Sequence, residues 1–210
     1  MIKQLKTYLI VIALIIPFSY ANGQDATVQV ALRIPLCDSC HGANGISKRP
    51  EIPTIAGFSY EGFLDSLNSF REKDRPALVV KDETGEEKAM TSISLTITDE
   101  EAKALASHYS AIPFEAAEQE YDPVLAAKGQ EIHEQKKCEQ CHSDGGSDPQ
   151  DDAAILAGQW KPYLERQISH FKVGRRNSPK KMKRIVDSLT EDEIEALLHF
   201  YASNNLAAAR

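Results

Sequence analysis

The chain has 210 residues, a formal net charge of −7, and 42% hydrophobic and 26% charged residues, which is typical of a soluble globular protein of one or two domains. The acidic balance disfavours nonspecific binding to nucleic acid, so no nucleic-acid partner is expected. Four cysteines leave open two disulfides, a redox pair, a zinc site or covalent attachment of a cofactor, and their spacing has to decide among these.

Residues 1–21 are predicted to be a secretory signal peptide. Lys3 and Lys6 precede an apolar run at residues 8–18, and small residues follow up to Ala21, where we expect cleavage. An uncleaved membrane anchor is the alternative, but the run is shorter than the ~18 residues that a span usually needs. The sequence therefore predicts export to the periplasm and a mature chain without a transmembrane segment. Because both lost charges are lysines, cleavage changes the net charge from −7 to −9.

The cysteines form two packages of the same pattern, C-x-x-C-H. The first package consists of Cys37, Cys40 and His41, and the second of Cys138, Cys141 and His142. Two thiols at this spacing can add to the two vinyl groups of one haem, and the adjacent histidine then becomes the proximal iron ligand. A redox pair needs no such histidine, and the 97 residues between the pairs far exceed the roughly 15–20 of a common zinc site. The pattern predicts two covalently bound haem c groups.

An internal repeat relates the two packages. Cys37, Cys40 and His41 recur 101 positions later, and Ala56-Gly57 recurs as Ala157-Gly158 at the same offset. The offset then falls to 92, so the first repeat holds nine extra residues between Arg75 and Met90. This stretch contains "KDETGEEK", which predicts a polar loop or hairpin centred on Thr84-Gly85.

Both methionines beyond the initiator occupy the same place in the repeat, since Met90 corresponds to Met182. We predict that each thioether is the distal iron ligand, opposite His41 or His142. Methionine ligation raises the reduction potential and suits electron transfer. The alternative is that both side chains only pack near a haem.

Each repeat is predicted to be helical. Thr98 and Thr190 are each followed by glutamate three residues later, which is typical of a capping box at the start of a helix. Amphipathic helices are predicted at residues 63–70 and 164–171, where apolar residues recur at i, i+4 and i+7. We see no alternating strand pattern of any length.

Gly129 and Pro35 determine what we predict for the helices that precede the two haem motifs. Residues 124–137 read as a helix on which Gly129 allows the C-terminal helix to approach closely. Pro35 lies just before the first package, and proline lacks an N–H and clashes in a helix interior. We therefore expect the first N-terminal helix to be short or to end early.

Several further side chains have two possible roles. Four side chains are candidates to bind the haem propionates, but they can equally be pocket walls or ordinary surface: Trp160, Tyr163, Arg75 and Arg176. The remaining histidines are expected to be surface or packing residues: His108, His133, His170 and His199. The basic run around Met182 is either a solvated face or a docking patch for an acidic partner.

The residues resemble diheme cytochromes c. The resemblance rests on the two C-x-x-C-H units with trailing methionines, the phrase "AGQW-x-P-Y-L" and the pattern M-x7-T-x-x-E, and it covers the whole mature chain. It implies an all-α fold of two tandem class I cytochrome c domains, related by an internal repeat. The first domain would span residues 22–113, the linker 114–123 and the second domain 124–210.

The second half is most similar to the cytochrome subunit of flavocytochrome c sulfide dehydrogenase, a resemblance that rests on "KCEQCHSDGG" and "ILAGQWKPYL". The next most similar family is cytochrome c4. The first likeness implies an FAD-containing flavoprotein partner that oxidises sulfide, a downstream electron acceptor, and no bond chemistry by the chain itself. The second implies a free electron carrier that feeds a terminal oxidase. A haem enzyme is disfavoured, because two methionine-ligated irons leave no open coordination position.

Overall fold

The structure is a computed structural model that describes residues 21–82, 85–151 and 153–203. The predicted signal peptide, apart from Ala21, lies outside these residues, and so does Thr84 of the predicted hairpin. Among the described helices, none has the length and apolar character that crossing a membrane requires.

The described residues form helices with one small hairpin between them. In chain order these are α1 (Ala21–His41), α2 (Tyr60–Arg71), β1 (Val79–Lys81), β2 (Glu87–Ala89), α3 (Met90–Ser94), α4 (Asp99–Ser110), α5 (Pro123–Gln135), α6 (Ser143–Gly146), α7 (Lys161–Lys172), α8 (Lys180–Ser188) and α9 (Glu191–Ser203). Strands β1 and β2 are antiparallel, with Val80 opposite Lys88. This hairpin confirms the hairpin interpretation of the first-repeat insertion, and its three-residue strands are too short to show an alternating pattern.

In the first half, α1, α2 and α4 pack around a buried apolar cluster that includes Leu67, Leu105 and Tyr109. The rings of Phe63 and Tyr109 stack with their centroids 5.7 Å apart. Both capping boxes are present, because Thr98 and Thr190 each exchange hydrogen bonds with the glutamate three residues on. The amphipathic segments are helical as predicted, within α2 and α7.

The expectation that Pro35 ends the first helix early is wrong, because α1 continues through Pro35 to His41. Proline in a helix interior costs about 3 kcal/mol, so other contacts must offset that cost. Val30 and Ile34 pack against the first core. Arg33 anchors the same turn, since its Nε lies 2.9 Å from Glu101 Oε1 and its Nη2 lies 2.8 Å from the carbonyl oxygen of Thr96. Tertiary packing therefore overrides the local proline preference.

In the second half, α5 crosses α9 at Gly129, as the sequence predicts. A Cβ atom at Gly129 would lie 2.1 Å from the carbonyl oxygen of Ala196 and 2.7 Å from Cβ of Phe200. The helices approach closely enough that only a hydrogen atom fits between them. Ile132, Leu197 and neighbouring apolar residues then form the second core.

We expect Gly129→Ala to lower the free energy of unfolding by about 1–3 kcal/mol, because the added methyl group must push α9 away from α5. This loss exceeds the gain of about 1 kcal/mol that alanine offers over glycine in a helix. Chemical denaturation followed by circular dichroism measures the difference. The exposed neighbour Gln130 supplies the control, since Gln130→Ala should change stability by less than about 0.5 kcal/mol. Equal stability of the two variants would contradict the close crossing.

The two halves contact each other through hydrogen bonds from side chains to backbone. The buried amide of Gln159 accepts from the N–H of Thr54 at 3.1 Å and donates to the carbonyl of Thr54 at 2.7 Å. Trp160 Nε1 donates to the carbonyl of Ser47 at 3.1 Å. These bonds satisfy backbone groups of the first half that would otherwise be buried without partners.

Candidate haem sites

All four site residues predicted in the first repeat lie on one cavity of about 1090 Å³, which includes its open mouth. They are Cys37, Cys40, His41 and Met90. The remaining walls are largely apolar and include Ile55, Phe58, Phe63 and Leu67. The structure thus brings two thiols, an imidazole and a thioether together at an apolar cavity, which is the donor set that c-type haem requires.

The end of α1 places the first package. Cys37, Cys40 and His41 are spaced i, i+3 and i+4, so they share one face of the last helical turn. Gly42 follows with φ of +80°, and a Cβ there would lie 2.1 Å from the carbonyl oxygen of Ile46. The chain must therefore have glycine here to turn sharply after the histidine.

The His41 ring is held in one orientation. Its Nδ1 lies 2.8 Å from the carbonyl oxygen of Pro53, so Nδ1–H donates and Nε2 keeps its lone pair. Burial lowers the pKa of His41, although the Pro53 bond acts in the opposite direction. The imidazole is accordingly neutral at neutral pH, which is the form that binds a metal.

The second package has a different local backbone. Lys137 adopts a left-handed conformation with φ of +60°, and a 3₁₀ turn spans Cys138–Gln140. Cys141 is exposed, whereas its counterpart Cys40 is buried. Burial lowers the pKa of His142, although a hydrogen bond with the backbone of Ala154 acts in the opposite direction.

The predicted second methionine lies on α8, next to the second package. Met182 is half-buried, and Val186, one turn later on the same face, is buried. The side chain of Lys181 contacts the side chain of Gln140, which links the start of α8 to the C-E-Q-C-H segment. The thioether therefore belongs to the inner face of α8, while the neighbouring basic side chains belong to its outer face.

A buried hydrogen-bond chain next to the second package was not predicted from the sequence. His133 is 1% exposed, and its Nδ1 lies 3.0 Å from the hydroxyl of Tyr201 while its Nε2 lies 2.9 Å from Glu139. Glu139 also accepts from the N–H groups of Asp144 and Gly145. His133 is thus a packing histidine, as one of the expected roles allowed, and it orders the loop that carries Cys141.

In the first half, a tyrosine and an acidic residue are bonded directly, without a histidine between them. The hydroxyl of Tyr109 donates directly to Asp38 at 2.9 Å, and Asp38 accepts from the N–H groups of Asn44 and Gly45. In the internal repeat, Tyr109 corresponds to Tyr201 and Asp38 corresponds to Glu139, the two residues that His133 links in the second half. Aligning these pairs, rather than the histidines alone, was the signal in the sequence that could have revealed the network.

Three arginines cluster where the two halves meet: Arg75, Arg166 and Arg176. None of them forms an ion pair with a carboxylate of the described residues. Arg75 is 5% exposed, and its Nη2 donates to the hydroxyl of Tyr163 at 2.8 Å. Its Nε is buried without a partner within the described ranges. Arg176 donates to Gln167, and burial together with the charge of Arg75 lowers the pKa of Arg176 to about 9.

This cluster agrees with the presence of haem, because a buried cation is costly unless an anion accompanies it. Arg75 and Arg166 both line the first cavity, and a haem carries two carboxylates. Trp160 is engaged elsewhere, because its indole N–H donates to the carbonyl of Ser47. The hydroxyl oxygen of Tyr163 accepts from Arg75, which leaves its O–H free to donate. The arginines and Tyr163 are therefore better candidates for the haem carboxylates than Trp160.

Two family descriptions match the chain, one for each half. The family described as "Cytochrome c" matches residues 32–109. The family described as "Cytochrome C oxidase, cbb3-type, subunit III" matches residues 124–200. Each match contains one complete C-x-x-C-H motif and its trailing methionine.

Relatives and a solved structure are similar over most of the chain. A cytochrome c4 from Thiocapsa roseopersicina is 27% identical over 79% of this chain and 85% of its own length. A thiosulfate dehydrogenase electron acceptor from Stutzerimonas stutzeri is 27% identical, over 80% of this chain and 78% of its own length. The crystal structure of reduced cytochrome c4 from Pseudomonas stutzeri superposes with a TM-score of 0.66 at 22% identity, covering 86% of this chain and 97% of that one. The all-α fold of two tandem cytochrome c domains is thereby confirmed.

Proposed function

Because this chain belongs to the diheme cytochrome c4-like family and binds two covalent haem c groups, we propose that it is a periplasmic carrier that takes electrons from a sulfur-compound dehydrogenase and passes them to a respiratory acceptor. Each haem c supplies a one-electron couple of its iron when bound. Export is proposed from the predicted signal peptide, residues 1–21.

The residues that would hold the two haems form two sets that correspond in the internal repeat. Thioether bonds would come from Cys37 and Cys40 in the first domain and from Cys138 and Cys141 in the second. The axial ligands would be His41 with Met90 and His142 with Met182. For the first set, the assignment is supported by the cavity that its members share and by the buried Nε of Arg75, which has no hydrogen-bond partner among the described residues.

The observation that carries the proposal is that the second domain forms part of the wall of the first cavity. Tyr163, Arg166 and Gln167 of α7 line the cavity together with the first-domain package. Arg166 also donates to the carbonyl of Glu51 at 2.6 Å. The two haem sites are therefore held in one body, so electrons can pass between them without diffusion of separate proteins.

The electron donor is proposed from the relatives. The Stutzerimonas stutzeri relative is named as a thiosulfate dehydrogenase electron acceptor, which favours a thiosulfate-oxidising enzyme as donor to this chain. The second candidate is a subunit role beside an FAD-containing sulfide dehydrogenase, which the phrases "KCEQCHSDGG" and "ILAGQWKPYL" support. In both cases the chain moves electrons and carries out no bond chemistry.

Absorption spectroscopy of the oxidised, haem-loaded protein tests the proposal. With a thiosulfate dehydrogenase and thiosulfate, we expect complete reduction of both haems, and no reduction with thiosulfate alone. Complete reduction by sulfide together with an FAD-containing flavoprotein, and none with the thiosulfate enzyme, would favour the second candidate. A protein that neither enzyme reduces would contradict the proposed function.

A further inference from the structure

We propose that the outer face of α8 is the docking surface for an acidic redox protein, and that electrons cross between the partners beside the second haem site. This inference rests on the proposed function and adds the partner's chemistry and its place on the molecule. The surface is defined by Lys180, Lys181 and Arg184, and we call it the basic face.

Charge is strongly segregated in this acidic chain. Residues 161–184 contain nine basic residues and one acidic residue, although the whole chain has a net charge of −7. All three members of the basic face are exposed. Within residues 21–82, 85–151 and 153–203, no carboxylate forms an ion pair with any of them. An exposed cluster of unpaired cations produces a local positive potential that attracts an oppositely charged surface.

The internal repeat shows that this charge is not needed for a cytochrome domain to fold. At the repeat offset of 92, Lys181, Lys183 and Arg184 correspond to Ala89, Thr91 and Ser92. Lys180 corresponds to Lys88, which is already bound to Asp82 at 2.6 Å and lies 3.5 Å from Glu86. The first domain thus has the same methionine and helix start without a free positive surface, so the positive charge belongs to the second domain specifically.

The basic face lies beside the more accessible of the two haem motifs. Cys141 is exposed and Cys40 is buried, and the contact between Lys181 and Gln140 links the basic face to the segment that contains Cys141. A protein bound here would lie next to a haem attached through Cys141. Redox partners bind through small, transient interfaces, and charge complementarity mainly raises their association rate.

An anionic membrane surface fits the basic face less well. A helix that lies on a membrane inserts an apolar face into the lipid. On α8, however, Met182 is half-buried, Val186 is buried, and Ile185 is half-buried. The outer side of α8 therefore has no apolar stripe that could insert into a membrane. A lipid surface also exchanges no electrons with a nearby haem site.

Stopped-flow kinetics with the haem-loaded protein tests the surface, with an acidic plant plastocyanin as the probe. The test variant is K180E/K181E, and the matched control is K103E/K128E, which makes the same charge change at two exposed lysines elsewhere. At low ionic strength we expect the test variant to reduce plastocyanin at least about 10-fold more slowly than the unaltered protein. The control should slow the reaction less than ~2-fold, and high salt should remove the difference.

A second probe of opposite charge distinguishes a variant that has lost docking from one that has lost its fold. With the cationic oxidant tris(phenanthroline)cobalt(III), K180E/K181E should react faster than the unaltered protein, whereas a misfolded variant would react abnormally at every ionic strength. Equal slowing by the test and control variants would overturn the docking surface. So would strong binding of the unaltered protein to phosphatidylglycerol vesicles with no slowing of plastocyanin reduction in the test variant. An unaltered protein that exchanges electrons with neither probe would instead contradict the proposed function.

Discussion

Replacing Met182 with alanine should remove half of the methionine–iron(III) charge-transfer absorption and lower the reduction potential of one haem. The expected shift is on the order of 0.1 V, within the roughly 0.8 V that axial ligation can span. The reason is that a thioether ligand favours ferrous iron, and alanine leaves that coordination position to water or another weak ligand. Met90→Ala should remove the other half, because Met90 occupies the same position in the first repeat and lines the cavity with His41.

Ile185 supplies the control for this prediction. It is half-buried on α8 close to Met182, so Ile185→Ala removes apolar packing from the same helix without removing sulfur. The charge-transfer absorption should survive that change. If Met182→Ala and Ile185→Ala left the same spectrum and the same potentials, Met182 would only pack near the haem.

Removing both thiols of the first package, with C37A/C40A, should reduce covalently attached haem from two per chain to one. The remaining haem should be bound through Cys138 and Cys141. Without its haem, the first domain would keep a largely apolar cavity of about 1090 Å³, open mouth included, and the lining side chains would lose the contacts that haem gives them. We therefore expect the first domain also to become more sensitive to proteolysis.

The mirror variant C138A/C141A is the matched control for the first. It should also leave one haem per chain, but with attachment at Cys37 and Cys40. Intact-mass spectrometry counts the attached haems, and mass analysis of peptides locates them. Retention of two covalent haems in either variant, or loss of both, would contradict the assignment of one haem to each package.

Much of the site was predictable because haem attachment imposes a local pattern. C-x-x-C-H places five residues on one short segment, and the repeat then predicted Met90 and Met182 as iron ligands without any knowledge of the fold. The structure places Met90 on the cavity of the first package, and both ligand roles stay predictions. The capping boxes at Thr98 and Thr190 were predictable for the same reason, since all their hydrogen bonds form within four residues. Gly129 was predictable because a small residue is the common solution where two helices cross closely.

The features that escaped prediction depend on contacts between distant segments. Pro35 lies inside α1 because Arg33 is tied to Glu101 and Thr96, which are more than 60 positions away. The link from His133 to Tyr201 spans 68 positions. No local propensity records such pairs, and tertiary packing decides them.

Arg75 and Arg176 were recognised as candidates from the sequence, but Arg166 and the cluster that the three form at the domain interface were not. Arg75 and Tyr163 are 88 positions apart and belong to different domains. The sequence repeats an arginine at positions 75 and 176, yet the repeat cannot reveal that both copies approach the same tyrosine. The pKa of Tyr163 is lowered despite burial because Arg75 and Arg176 lie beside it.

The most direct test of two haems ligated by histidine and methionine is a reductive titration of the unaltered, haem-loaded protein in an electrochemical cell, with its spectrum recorded throughout. We predict that each chain takes up two electrons and that the methionine–iron(III) absorption disappears in proportion to the electrons taken up. Uptake of one electron per chain, or an oxidised spectrum without methionine–iron(III) absorption, would contradict two haems ligated by histidine and methionine.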